Sequence, residues 1–183
     1  MSADSGFNGP LEPAHEFASE RHAGQTYGMQ SYVNGHLAEV VHILGYSGFR
    51  DDPEMLRAGW CHDIVEDTRT TIDEVRARFG NRVASLVWAV TNEPGKNRKE
   101  RALLTYPKLR AAGPDAVALK LCDRIANVRS CWDLRDARLF MYYKEYSEFR
   151  GALRRPEDGA RVRALWEHLD KLLGWREFAP RSV

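Results

Sequence analysis

The chain has 183 residues, 43% of them apolar and 29% charged, the balance of one globular domain with a sizeable core. Lys+Arg (27) and Asp+Glu (26) nearly cancel to a net charge of +1, which argues against nucleic acid or an anionic membrane as a bulk electrostatic partner. Three cysteines, Cys61, Cys122 and Cys131, with no CxxC pair exclude a disulfide scaffold. No apolar run reaches membrane-spanning length and no basic-then-apolar leader opens the chain, so the expected location is the cytoplasm.

Residues 1–10 are rich in Gly, Ser and Asn and read as a flexible lead-in. Residues 11–175 read as the domain and 176–183 as a short tail. From Leu11 to about Tyr27, Ala14, Phe17 and Ala18 share a helical face, and Gly28–Gly35 reads as a loop. Leu37, Val40, Val41 and Leu44 then predict a buried helix ending at Gly45. Asp51-Asp52-Pro53-Glu54 is a helix start, and that helix runs into Trp60-Cys61-His62-Asp63-Ile64-Val65-Glu66-Asp67-Thr68.

Thr71 and Glu74 fit a capping box opening a helix that stops near Phe79-Gly80, followed by an apolar stripe at Val83, Leu86, Val87 and Val90. Lys96, Arg98, Lys99 and Arg101 form the strongest charge run; a solvated helix start and an anion-contacting loop fit it equally well. After Gly113-Pro114, residues 116–128 are almost wholly apolar, the profile of a central buried helix. Amphipathic helices over about 136–153 and 157–173 close the domain. No segment shows two-residue alternation between hairpin turns, so the fold class is all-α, with about eight to ten helices.

The stretch at 60–68 concentrates one imidazole and three carboxylates. Read as a continuous helix, it puts His62 with Glu66 and Asp63 with Asp67. Like carboxylates this close repel and are costly to bury unpaired, so a cation belongs among them. Asp123 stands mid-helix in apolar surroundings, and Arg124 beside it points elsewhere, so a metal fits better than a local salt bridge. His36 opens an apolar helix after a glycine loop.

His36, His62, Asp63 and Asp123 make a two-nitrogen, two-oxygen ligand set suited to Mn²⁺, Fe²⁺ or Zn²⁺. Glu66 and Asp67 are placed to orient and deprotonate a water. Cys61 and Cys122 read as small core residues, and His15, His42 and His168 as ordinary core or surface histidines.

The order His, His-Asp, distant Asp is that of the HD phosphohydrolases. "HAGQTY" at 22–27, "YVNGH" at 32–36, "WCHDIVEDTRTTIDEVRARFGNRVASLV" at 60–87 and "KLCDRIANVR" at 120–129 resemble the hydrolase domain of RelA/SpoT-type alarmone enzymes. The resemblance covers about residues 14–150 and implies a stand-alone small alarmone hydrolase: all-α, holding one Mn²⁺, and removing pyrophosphate from the 3′ position of (p)ppGpp-like purine nucleotides. It assigns His36, His62, Asp63 and Asp123 to the metal and Glu66 and Asp67 to the attacking water. It further assigns Asn127 and Tyr146 to the nucleotide. The charge of the pyrophosphate would be met by the basic run that holds Lys96 and Arg98.

Two departures stand out. Where the family carries basic residues, this chain has Thr26-Tyr27, so Tyr27 would offer a π-face to the base and (p)ppApp joins (p)ppGpp as an expected substrate. The loop into His36 is one residue longer than the family's usual spacing, with Leu37 where proline is common. Alternatives are a phosphatase of another nucleotide such as NADPH, or a non-catalytic nucleotide sensor. The sequence leaves a homo-oligomer open.

Overall fold

The computed structural model describes residues 12–174. The expected lead-in at 1–10 and tail at 176–183 lie outside them. Ten α-helices are found among the described residues: α1 (Glu12–Arg21), α2 (Ala38–Leu44), α3 (Pro53–Cys61), α4 (Ile64–Asp67), α5 (Ile72–Phe79), α6 (Asn81–Val90), α7 (Arg98–Ala112), α8 (Pro114–Asp133), α9 (Arg138–Leu153) and α10 (Ala160–Leu172). The all-α expectation holds.

One small departure is a hairpin, β1 (Thr26–Tyr27) with β2 (Gln30–Ser31), where the sequence suggested the end of a helix and a loop. The helix stops early because Gly24 takes φ +81° and the Gln25 N–H turns back to the His22 carbonyl at 3.0 Å. Gly28, at φ +61°, then supplies the left-handed turn between the strands.

Helix α8 is the axis of the domain. Leu119, Leu121, Cys122, Ile125 and Val128 on it are fully buried, and α2, α3, α6, α7, α9 and α10 all pack on it. A helix apolar on nearly every side can only be stable when surrounded in this way. Gly113, at φ +96°, and Pro114 at its first turn set where it begins.

Local signals hold elsewhere. Asp52 accepts from the Met55 N–H at the start of α3, and Thr71 with Glu74 closes the capping box of α5. All three cysteines are buried free thiols. No described helix is long and apolar enough to cross a membrane.

Two features bring the future site together. Val33–Leu37 forms one wide helical turn in which the Ala38 N–H reaches back to the Val33 carbonyl, five residues earlier. Such a turn holds one residue more than an α-turn, and within it Val33, His36 and Leu37 are buried. Gly59 lets α3 lie close on α2: a Cβ there would stand 2.8 Å from Leu44 Cδ1 and 3.0 Å from Val41 Cγ2.

Candidate metal centre and active-site cleft

His36 and His62 are both buried, and their Nε2 atoms lie 3.2 Å apart. Asp63 Oδ2 stands 3.3 Å from His36 Nε2 and 3.0 Å from His62 Nε2. Asp123 Oδ1 is 3.4 and 3.9 Å from the same two nitrogens. Donor atoms that share one cation at about 2.1 Å are separated by roughly 3.0–4.2 Å, so the donor set fits a single divalent ion. His36, His62 and Asp123 form a buried group whose ligand atoms all lie within 4.8 Å of one another.

The tautomer of His62 also fits. Its Nδ1 is 2.8 Å from the Gly59 carbonyl, which can only accept, so the proton sits there and the Nε2 lone pair faces the cluster. Nδ1 of His36 is buried without a hydrogen-bond partner in the structure.

The charge state records the same demand for a cation. Burial disfavours a charged His36, yet hydrogen bonds to Asp123 and Asp63 more than offset it and lift its pKa to about 9. Burial likewise opposes ionisation of Asp63 and Asp123. The imidazoles next to Asp63, and Lys120 with the imidazoles next to Asp123, nevertheless hold both carboxyls well below the usual range. Burial pushes the Cys61 thiol up to about 12 and that of Cys122 well above its ordinary value, as for small core residues, and neither belongs to the buried group of His36, His62 and Asp123.

The opening motif is not one continuous helix. Helix α3 ends at Cys61, His62 and Asp63 form a turn, and α4 starts from the Asp63 carbonyl, which accepts from the Glu66 and Asp67 N–H groups at 3.1 and 2.9 Å. The break falls between His62 and α4, while Asp63 and Asp67 stay one helical turn apart, as the spacing predicts.

Each carboxylate is held by partners that the sequence reading did not assign. The Tyr32 hydroxyl donates to Asp63 Oδ2 at 2.5 Å. Lys120 Nζ forms a local salt bridge with Asp123 Oδ2 at 3.0 Å, whereas Arg124, the neighbour weighed from the sequence, pairs with Glu145. The i,i+3 spacing in KLCD was the available signal. Glu66 accepts from Asn92 twice, at Oε1 from the backbone N–H (2.7 Å) and at Oε2 from Nδ2 (2.9 Å). His22 and Gln25 are linked at 2.8 Å, and Gln25 Nε2 donates to the Asp67 carbonyl at 2.9 Å, which ties the end of α1 to the end of α4.

In front of the cluster opens a cleft of about 400 Å³ between α4, α7, α8 and α9. Asp63, Glu66, Asp67 and Asp123 line its acidic part, and Arg98, Arg101, Lys120, Arg124 and Arg138 also line it. Arg124 is buried, stacked over Tyr142 and Phe149 at 4.9 and 4.4 Å, with Glu145 at 3.5 Å. Asn127 reaches the cleft too. A second cavity, of about 390 Å³, is lined by the hairpin residue Tyr27 and by Gly35, His36, Ser130 and Leu134 among others.

Two expected contacts fall elsewhere. Tyr146 is buried and donates to Asp170 Oδ1 of α10 at 2.5 Å; Tyr142 and Glu145, on the same helix, line the cleft. Of the basic run, Arg98 and Arg101 line the cleft, whereas Lys96 and Lys99 are exposed and outside its lining.

Two imidazoles and two carboxylates converge beside a cleft lined by acids and arginines, which makes this an all-helical domain with a candidate site for a divalent metal. The chain belongs to the HD domain family, whose pattern matches residues 14–148. It is 33% identical over 168 residues to a guanosine-3′,5′-bis(diphosphate) 3′-pyrophosphohydrolase of Aquifex aeolicus, covering 90% of this chain and only 23% of that protein.

The enzymes of that name called MESH1 are nearer in size. The Xenopus tropicalis protein is 33% identical over 132 residues, covering 70% of this chain and 72% of the relative. The Homo sapiens protein is 35% identical over 122 residues, covering 65% and 68%. Among solved structures, a metazoan ortholog of SpoT, described as hydrolysing ppGpp, superposes with a TM-score of 0.74 at 24% identity, covering 96% of this chain and 100% of that one. The lmo0812 protein of Listeria monocytogenes EGD-e gives 0.66 at 25% identity, covering 82% and 98%.

Proposed function

We propose that this chain is a metal-dependent phosphohydrolase that removes pyrophosphate from the 3′ position of a guanosine or adenosine bis(diphosphate), with Mn²⁺ as its metal. The observation that carries the proposal is the convergence of His36, His62, Asp63 and Asp123 within 3.0–3.9 Å beside a cleft lined by both acids and arginines. The names of the relatives support the substrate class, and the mixed nitrogen–oxygen donor set supports Mn²⁺ over a thiolate-seeking ion.

A divalent ion held by those four residues supplies Lewis acidity toward a phosphoryl oxygen and acidifies water. The remaining work belongs to side chains. Glu66, oriented by its two bonds to Asn92, and Asp67 take up the proton of the attacking water. Burial and the neighbouring charges of Asp63 and Glu66 raise the pKa of Asp67, which strengthens it as a base. The water oxygen bonds to the 3′-linked phosphorus as the bond from that phosphorus to the ribose 3′-oxygen breaks; the 3′-oxygen takes up the proton returned by the carboxyl that accepted it, and pyrophosphate is left. Arg98, Arg101, Lys120 and Arg124 meet the charge of that product.

The base is assigned to the second cavity, against Tyr27 and Ser130. An aromatic lining in place of family cations fits adenine as well as guanine. Asn127, in the lining of the cleft, is bonded to Tyr27 of the second cavity at 3.1 Å.

The test is direct. The Mn²⁺-loaded protein is incubated with ppGpp, ppApp and NADPH, and pyrophosphate and orthophosphate are measured separately. Pyrophosphate from at least one alarmone is expected; its absence from both would overturn the proposal, and orthophosphate from NADPH alone would redirect it to a different phosphate ester.

A further inference from the structure

Tyr27 is tied to the metal centre by two consecutive hydrogen bonds. Its hydroxyl lies 3.1 Å from Asn127 Oδ1, and Asn127 Nδ2 donates to Asp123 Oδ1 at 2.6 Å and to the Asp123 carbonyl at 3.1 Å. The direction of the chain follows from chemistry. A carboxylate only accepts, so the Asn127 amide must turn its nitrogen to Asp123, which leaves its oxygen to accept from the tyrosine. The opposite amide orientation would set a carbonyl dipole against the carboxylate.

The oxygen of Asp123 so held is the one facing the imidazoles, at 3.4 Å from His36 and 3.9 Å from His62, while Lys120 holds the other. Tyr27 is itself fixed from behind. Its ring leans on His36 at 5.1 Å, and its Cβ and carbonyl oxygen press on Gly35, where an added Cβ would come within 3.3 Å of both. The same tyrosine lines the second cavity.

We propose that Tyr27 is a positioning residue for the ligand oxygen of Asp123, acting through Asn127, so that the cavity lined by Tyr27 is coupled to the metal centre. The inference rests on the metal reading above and concerns the place where this chain departs from its family's basic residue. Coupling of this kind is reciprocal: whatever displaces the Tyr27 hydroxyl weakens the metal, and metal binding favours the ring position seen here.

The test uses Tyr27→Phe, which keeps the ring and deletes the hydroxyl, with Mn²⁺ affinity read by calorimetry. Loss of a group that orients a metal ligand costs about 10–100-fold in affinity, expected for Asn127→Ala; Tyr27→Phe, one bond further out, should cost about 3–10-fold. The double variant should match Asn127→Ala within about twofold, because the hydroxyl acts only through the amide. The metal-free Tyr27→Phe protein should unfold at the same temperature as the unaltered one while its stabilisation by Mn²⁺ shrinks, a pattern that a packing defect would not give. Unchanged affinity in Tyr27→Phe, or losses that multiply fully in the double variant, would overturn the coupling alone. Failure of the unaltered protein to take up Mn²⁺ would overturn the metal reading, and the coupling with it.

Discussion

His62 Nε2 and Asp63 Oδ2 lie 3.0 Å apart although the residues are consecutive. On an α-helix, neighbours point about 100° apart and cannot share a ligand point. Here the helix ends at Cys61 and restarts at Ile64, and the turn between lets both side chains face His36. The break also starts α4 from the Asp63 carbonyl, so the metal cluster and the Glu66–Asp67 pair are placed by one backbone feature.

The cluster predicts proton-coupled metal binding. In the metal-free protein His36 titrates near 9, so at pH 7 it holds a proton that the metal must displace. Mn²⁺ affinity should therefore rise by about tenfold per pH unit between 7 and 9 and level off above. The sign for stability is opposite. A raised histidine pKa stabilises the metal-free fold fully below about 6.5, and this contribution is lost as pH rises through 9. Calorimetry in buffers of different ionisation heat measures the released proton, and zero release at pH 7 would contradict the assignment.

Glu66 and Asn92 should separate chemistry from metal binding. Glu66→Gln keeps the shape of the side chain and removes its basicity, so kcat should fall about 10²–10⁴-fold with the metal retained. Asn92→Ala leaves the carboxylate in place without its two donors and should cost less, about tenfold, since misorientation is milder than deletion. Metal content by mass spectrometry accompanies both; loss of metal from Glu66→Gln would mean that Glu66 is a ligand.

The sequence carried the side chains that converge because their signals are local or chemical: a His-Asp pair after an apolar helix, and a carboxylate stranded in the apolar run at 116–128. It did not carry the partners that orient them. Tyr32 reaches Asp63 across 31 positions and Asn92 reaches Glu66 across 26, distances over which no spacing rule operates. Lys120 is different: it stands three residues before Asp123, so the spacing alone is a local signal for their pair. Tyr146 shows the limit of resemblance. On that helix it is Tyr142 that lines the cleft, while Tyr146 bonds to α10.

The basic run divides by position along α7. Arg98 and Arg101 line the cleft, Arg98 bonded to Glu145 at 2.7 Å, whereas Lys96 and Lys99 are exposed outside it. Arg98→Ala and Arg101→Ala should each reduce kcat/KM by about 10–100-fold, the cost of one charge-assisted phosphate contact. Lys96→Ala and Lys99→Ala should change it by less than about twofold, as expected for exposed charges screened by salt. Equal effects at all four positions would show that the run acts by its field rather than by contact.

The tightest packing test of the centre lies one turn before it, at Gly59. His36 is joined to α2 and His62 follows α3, so the separation of these helices sets the approach of the two imidazoles. In Gly59→Ala the new methyl would stand 2.8 Å from Leu44 Cδ1 and 3.0 Å from Val41 Cγ2, on side chains that are themselves buried. Relief requires α2 to move outward by a few tenths of an ångström, at a cost of about 1–3 kcal/mol for an overpacked core. The same movement disturbs the Gly59 carbonyl that fixes the His62 tautomer. Thermal unfolding should show the stability loss in the metal-free protein, and the Mn²⁺ affinity should fall with it. A variant that loses stability yet binds Mn²⁺ as tightly as before would show that the histidines are held independently of the helix contact.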